Sequence, residues 1–201
     1  MVFEDHYLRS GEKVTIPVAQ GYSDVFKLIK SDVFRVRGKI YRTSMLWGLS
    51  FSSANLKYLF WLRMAGYKGL LYPLSLIIHK IYTALFSCHI YAGTHIGYGF
   101  YIGHAFSTMV SKHCIIGNNV NISQLSNFGT NDGNGPVICD NTYIGPMTCL
   151  VGDVQIGHNS IVGAGSIVTK DIPCNTTAVG NPAKVIGENR HPEYVGNRFI
   201  Y

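Results

Sequence analysis

The chain is short of charge, of paired cysteines and of long apolar runs. Charged side chains make up only 14% of its 201 residues, against an ordinary apolar share of 47%, which leaves material for one compact domain or for a small domain attached to a larger one. Dense Lys/Arg blocks are missing. The formal charge of +6 is scattered, so an anionic partner is favoured but nucleic acid is not expected. The five cysteines, Cys88, Cys114, Cys139, Cys149 and Cys174, are odd in number and form no CxxC pair. Neither a disulfide framework nor a metal site is expected from them. Apolar stretches near residues 69–88 are interrupted before the roughly 18 residues that a spanning helix needs. The opening Met1-Val2-Phe3-Glu4-Asp5-His6 has no basic-then-apolar signal pattern. These absences point to a reducing, cytoplasmic setting, with peripheral membrane proximity through N-terminal helices as the open alternative.

Glycine is plentiful instead, with 22 residues and no collagen period, and this points to a turn-rich β architecture. The first ninety residues read as helical. Leu56, Leu59, Phe60 and Met64 sit at helical spacing over 53–66, with Ser53 as a cap. A second helix over 73–87 starts at Pro73 and carries Leu74, Ile77, Ile78, Ile81, Tyr82 and Leu85 on one face. That face is expected to pack on other helices or on a partner subunit. The segment 22–42 reads as helical in part.

From Thr94 the period changes to six. Ile96 and Ile102 are followed by Val110, Ile116, Ile122 and Phe128, and then by Ile138, Ile144, Leu150, Ile156, Val162 and Val168. Glycine often follows the aliphatic residue, a small residue stands two before it, and Asn119, Asn141 and Asn159 recur three after it. Asn and Gly tolerate positive φ, so these positions suit tight corners. Each hexad then gives one short strand and one corner, and three hexads close one coil of a triangular prism.

The step breaks twice, by two extra residues between Ile102 and Val110 and by four between Phe128 and Ile138. A solenoid takes insertions only at its corners, and loops leaving a rigid scaffold commonly carry function. His104 opens the first break. Its imidazole titrates near neutrality and suits a general base, although His158 holds the same slot in an ordinary repeat. His113 is the reserve candidate, and the cysteines read as structural.

Ile102-Gly103-His104, the segment 116–124, the run 161–171 and Val179-Gly180-Asn181-Pro182-Ala183-Lys184-Val185 resemble the serine acetyltransferase branch of the hexapeptide acyltransferases. The resemblance covers about residues 94–187. It implies a left-handed parallel β-helix over 93–187, a mostly helical region over 1–92 and a tail over 188–201. It further implies direct acetyl transfer from acetyl-CoA, no metal, and a homotrimer or a multiple of one with the site between subunits. Gly145, Gly163, Ala164 and Gly165 would lie against the acetyl-CoA pantetheine, and Lys170 and Lys184 against its phosphates. The loop 129–136 would form an acceptor-binding lip, through Asn131, Asp132 and Asn134, facing His104 of a neighbouring subunit.

Two departures bear on the acceptor. Serine-specific members carry Asp before the catalytic His, where this chain has Gly103. They carry an Arg-His pair before the proline that ends the loop, where this chain has Asn134 and Gly135. A zwitterion needs both charge partners. The expectation is therefore a sugar hydroxyl of a surface polysaccharide or its precursor. Serine is the alternative if Asp24 or Asp32 supplies a charge, and another small hydroxyl or an amino sugar is a further one.

Overall fold

The step of six becomes a stack of two-residue strands. The computed structural model describes residues 1–49, 52–130 and 133–201. Three parallel sheets wrap one column of side chains. The first face holds β4 (His95–Ile96), β7 (Ile115–Ile116), β10 (Val137–Ile138) and β13 (Gln155–Ile156). The second holds β5 (Tyr101–Ile102), β8 (Asn121–Ile122), β11 (Tyr143–Ile144), β14 (Ile161–Val162) and β16 (Thr176–Val179), and is closed by the antiparallel β17 (Lys184–Glu188). The third holds β3 (His89–Ile90), β6 (Met109–Val110), β9 (Asn127–Phe128), β12 (Cys149–Leu150) and β15 (Ile167–Val168).

In every coil the second residue of the strand points inward. Ile102, Ile122, Ile144 and Val162 stack in register on the second face and are fully buried. Asn119, Asn141 and Asn159 adopt the left-handed conformation that their spacing predicts, with φ of 55°, 57° and 55°. Asn175 continues the same corner. The prism begins one hexad earlier than the sequence reading places it, because Ile90 on β3 pairs beside Val110. Tyr91 rather than glycine follows Ile90, so the repeat signature is incomplete there.

The region ahead of the prism is not wholly helical. It opens on a hairpin, β1 (Val2–Tyr7) against β2 (Lys13–Val18), which turns through Gly11 at φ 85°. Val14 and Ile16 of β2 face inward against Cys139 of the prism. Four helices follow: α1 (Tyr22–Arg37), α2 (Thr43–Leu49), α3 (Ala54–Ala65) and α4 (Tyr72–Phe86). Ser53 caps α3 by accepting the Leu56 N–H.

Helix α1 docks on the first coil through polar side chains on its buried face. Ser31 accepts the Gly99 N–H at 2.8 Å, and Asp32 accepts the Phe100 N–H at 2.8 Å. Asp32 also forms a two-pronged pair with Arg63 of α3, at 2.8 and 3.0 Å. Arg63 in turn donates to the Ile96 and Gly97 carbonyls. Burial pushes the Asp32 carboxyl up, and Arg63 pulls it back.

Most of the apolar face assigned to α4 does not pack inside this chain. Leu74, Ile77, Ile81 and Leu85 are exposed, while Ser75 and His79 point inward. The inward face of the helix packs on α3, where His79 lies at a tilt to Tyr58. Ile78 and Tyr82 are the two members of that face that reach the core. Among the described residues no helix is long and apolar enough to cross a membrane.

Candidate active site

His104 follows Gly103 at the corner between the second and third faces, where the two extra residues enter. Ser107 takes φ 45° in the same bend. Asn55, in the first turn of α3, holds the bend from both sides. Its amide donates to the Gly103 carbonyl at 2.6 Å and accepts from the Ala105 N–H at 3.5 Å. The imidazole itself is exposed and lines an open, polar cleft.

Three layers build that cleft. The outer face of the second sheet contributes Tyr101, Asn121 and Tyr143, which lie in register. Ser123, Gln124 and Pro146 come from the corners of the coils beyond His104. Arg35 of α1 and the tail residues Tyr194, Gly196 and Asn197 form the opposite wall. The tail is held by Asn121, whose amide donates to the Tyr194 carbonyl at 2.7 Å, and by Asn119, which exchanges two hydrogen bonds with the Phe199 backbone.

Arg35 is the residue the sequence reading missed. It is 4% exposed. Its Nε donates to the Gly99 carbonyl at 3.0 Å, one Nη donates to Asn121 Oδ1, and the guanidinium lies 5.9 Å over the Tyr101 ring. Its other nitrogen, Nη1, is buried and has no hydrogen-bond partner among the described residues. Burial, with the charge of Arg198 added, lowers its pKa to about 10. Asp32 and Arg35 stand four and seven residues after Leu28, on the helix face that otherwise carries the apolar side chains. Charge on that face was the available signal.

The donor residues expected from the resemblance separate. Register puts His104, Gln124, Pro146 and Ala164 on one edge of the prism, each one coil beyond the last. Ala164 and Gly165 are exposed there, and Gly165, at φ 69°, has open space where a Cβ would sit. Gly145 and Gly163 are glycines for another reason. A Cβ on Gly145 would fall 2.7 Å from the Ala164 nitrogen, and one on Gly163 would fall 2.6 Å from Val179 Cγ1, so their bareness makes room for the next coil. Lys184 starts β17 opposite Val179, at the far end of the same sheet. Lys170 lies past β15, at the corner after the third face. Both lysines are exposed.

The loop 129–136 leaves from that other corner too. Gly135 packs on the His113 backbone, where a Cβ would meet the carbonyl carbon at 2.6 Å, so within one chain the loop does not share an edge with His104. Asn134 is exposed; Asn131 and Asp132 lie outside the described residues. Neither Asp24 nor Asp32 reaches the cleft. Asp24 pairs with the terminal ammonium at 2.7 Å and with Lys27, and Asp32 is taken by Arg63. The cysteines are all free, and burial pushes the Cys114 thiol up to about 12, the opposite of an activated nucleophile.

A parallel prism of hexads with a histidine-bearing corner defines a hexapeptide-repeat transferase, and the bacterial transferase hexapeptide (six repeats) family matches residues 135–170. Serine acetyltransferase of Bacillus pumilus is 30% identical over 170 residues, covering 82% of this chain and 78% of that protein. The mitochondrial serine acetyltransferase 3 of Arabidopsis thaliana is 37% identical over 124 residues, 60% of this chain but only 32% of the longer plant protein. The crystal structure of serine acetyltransferase from Brucella abortus has the same fold, with a TM-score of 0.68 and 24% identity over 84% of this chain and 69% of that one. The chain belongs to the serine acetyltransferase family of hexapeptide-repeat acyltransferases.

Proposed function

We propose that the protein transfers acetyl from acetyl-CoA to a hydroxyl group, with His104 as general base. The observation that carries the reading is the placement of an exposed histidine in a polar cleft, on the prism edge that leads to Ala164 and Gly165. The acceptor hydroxyl gives its proton to the imidazole as its oxygen attacks the thioester carbonyl. A tetrahedral oxyanion forms, stabilised by N–H groups near the coils. Collapse expels the thiolate of CoA, which takes the proton back from the imidazolium. Ala164 and Gly165 would hold the pantetheine, with Lys184 beyond them.

Serine is the acceptor supported by the names of the relatives. The loss of charged residues at 103, 134 and 135 and a cleft lined by Tyr101, Tyr143 and Tyr194 favour a second reading, a sugar hydroxyl of a polysaccharide or its precursor. Tyrosine rings offer stacking faces to a pyranose and hydroxyls to its oxygens. Assembly into a trimer, a common expectation for hexapeptide prisms, would bring the loop 129–136 to His104 of a neighbouring copy.

Thiol release from acetyl-CoA, followed with panels of serine, monosaccharides and oligosaccharides, tests the reading. Release dependent on a hydroxyl acceptor is expected. No release with any hydroxyl compound, or release indifferent to acceptor, contradicts it.

A further inference from the structure

We infer that Arg35 is the anchor for a carboxylate on the acceptor, so that the substrate acetylated at His104 is an acid. The inference rests on the acetyl-transfer reading and adds the charge of the acceptor to it.

A guanidinium that is 4% exposed should have its donors satisfied and its charge paired. Arg35 has neither condition met. Two of its three nitrogens are used, one on a backbone carbonyl and one on the neutral Asn121 amide, while Nη1 has no partner among the described residues. Asp32, one helical turn away, is committed to Arg63 by two hydrogen bonds and to the Phe100 N–H by a third. Arg198 adds a further positive charge, while Asp32 and Tyr101 act in the opposite direction without bonding to the guanidinium's free nitrogen. Leaving a buried donor unpaired is destabilising, and more so for a charged group. A carboxylate is the ligand that removes the whole deficit, because it supplies the missing acceptor and the missing countercharge together.

The surroundings supply a partner for a carboxylate and none for an ammonium. No Asp or Glu is found among the described residues lining the cleft, so an acceptor ammonium would meet no countercharge within this chain. Tyr101, Ser123, Gln124 and Asn197, also in the lining, are uncharged and can bond hydroxyls. Nη1 is out of contact with solvent, so a ligand oxygen reaches it through a local shift of the cleft wall. The tail forms part of that wall, and its Asn197 meets Arg35 directly, its amide donating to the Arg35 carbonyl at 3.3 Å.

A carboxylate could come from a hydroxy amino acid or from an acidic sugar, and paired probes separate the two. Acetylation rates are measured for L-serine against L-serinamide and for D-galacturonate against D-galactose, and binding of the same four compounds is followed by calorimetry. The acid of at least one pair should exceed its neutral partner in kcat/KM by at least about tenfold. Arg35→Gln should erase that preference, mainly through KM, and Arg35→Lys should restore part of it. A merely structural Arg35 would lower both members of a pair equally. Equal rates for both members of each pair in the wild-type protein overturn the inference while leaving acetyl transfer intact. So does an acid preference that survives in Arg35→Gln. If none of the four is acetylated, the wider hydroxyl panel tests the acetyl-transfer reading, and calorimetry decides the anchor. Acid-selective binding lost in Arg35→Gln supports the anchor, and equal or absent binding of all four overturns it.

Discussion

Asn55 grips the backbone on both sides of His104, donating to the Gly103 carbonyl at 2.6 Å and receiving the Ala105 N–H. A helix of the N-terminal region thus fixes a corner of the prism that the repeat alone does not specify. Farther along the bend, Ser107 donates to the Phe86 carbonyl and Phe106 accepts from Leu125. Asn55→Ala should lower kcat by about tenfold to a hundredfold, the effect of an ångström-scale misplacement, without loss of affinity for a CoA analogue. Steady-state kinetics together with calorimetry would check it, and an unchanged kcat would remove the positioning role.

The stacked column is the main apolar interior of the prism. Ile144 is fully buried between Ile122 and Val162. Ile144→Asp places a carboxylate where no donor faces it, at a cost of several kcal/mol, comparable with the ~5–15 kcal/mol that holds a domain together. Thermal unfolding should show a large drop or no folded protein. An unchanged melting temperature would contradict the column.

The Asp32–Arg63 pair joins α1, α3 and the first coil in one buried contact. Asp32→Asn should cost about 3–5 kcal/mol, because Arg63 is then left charged and unpaired. The double variant Asp32→Asn/Arg63→Met should recover part of that loss. Urea unfolding midpoints measure both, and equal midpoints for wild type and Asp32→Asn would show that the pair contributes nothing.

Acid should destabilise the protein through His79. Burial holds its imidazole down to about 4, against an ordinary 6.5. The unfolded chain takes up the proton as pH falls below about 6.5, and the folded chain does so only near 4, so stability declines across that window and levels off beneath it. The shift corresponds to a loss on the order of 3 kcal/mol. His6, also lowered by burial, acts in the same direction. His79→Phe should flatten the decline in a pH series of unfolding curves, and an unchanged slope would assign the acid sensitivity elsewhere.

Much of this architecture was legible because each hexad repeats the same local rule. An inward aliphatic residue, a small residue before it and an Asn or Gly corner after it appear coil after coil, so the strands from β4 to β15 could be placed by counting. β3 escaped although Ile90 stands six before Ile96, because it follows directly on the helical pattern of α4. The hairpin escaped because β1 is mostly polar and exposed, although the alternation Val14, Ile16, Val18 carries a strand period. His104 was visible as the residue that opens a break in the count. Arg35 was legible only as a charge on the apolar face of α1, which says nothing about which coil it meets. Only the docking of α1 on Gly99 and Phe100 brings it beside Tyr101 and Asn121. The cleft wall supplied by Tyr194 and Asn197 was equally hidden, because no periodicity governs the tail.

The most direct test of the central claim compares His104→Ala with the wild-type protein in a single assay of acetyl transfer, alongside calorimetric affinity for a CoA analogue. Transfer should fall by about 100- to 10,000-fold, the usual effect of removing a general base, while CoA affinity stays close to that of the wild type. His113→Ala, at the other corner, should transfer nearly normally. Near-normal turnover in His104→Ala would contradict the account, and loss of activity in His113→Ala instead would move the base to the other edge of the prism.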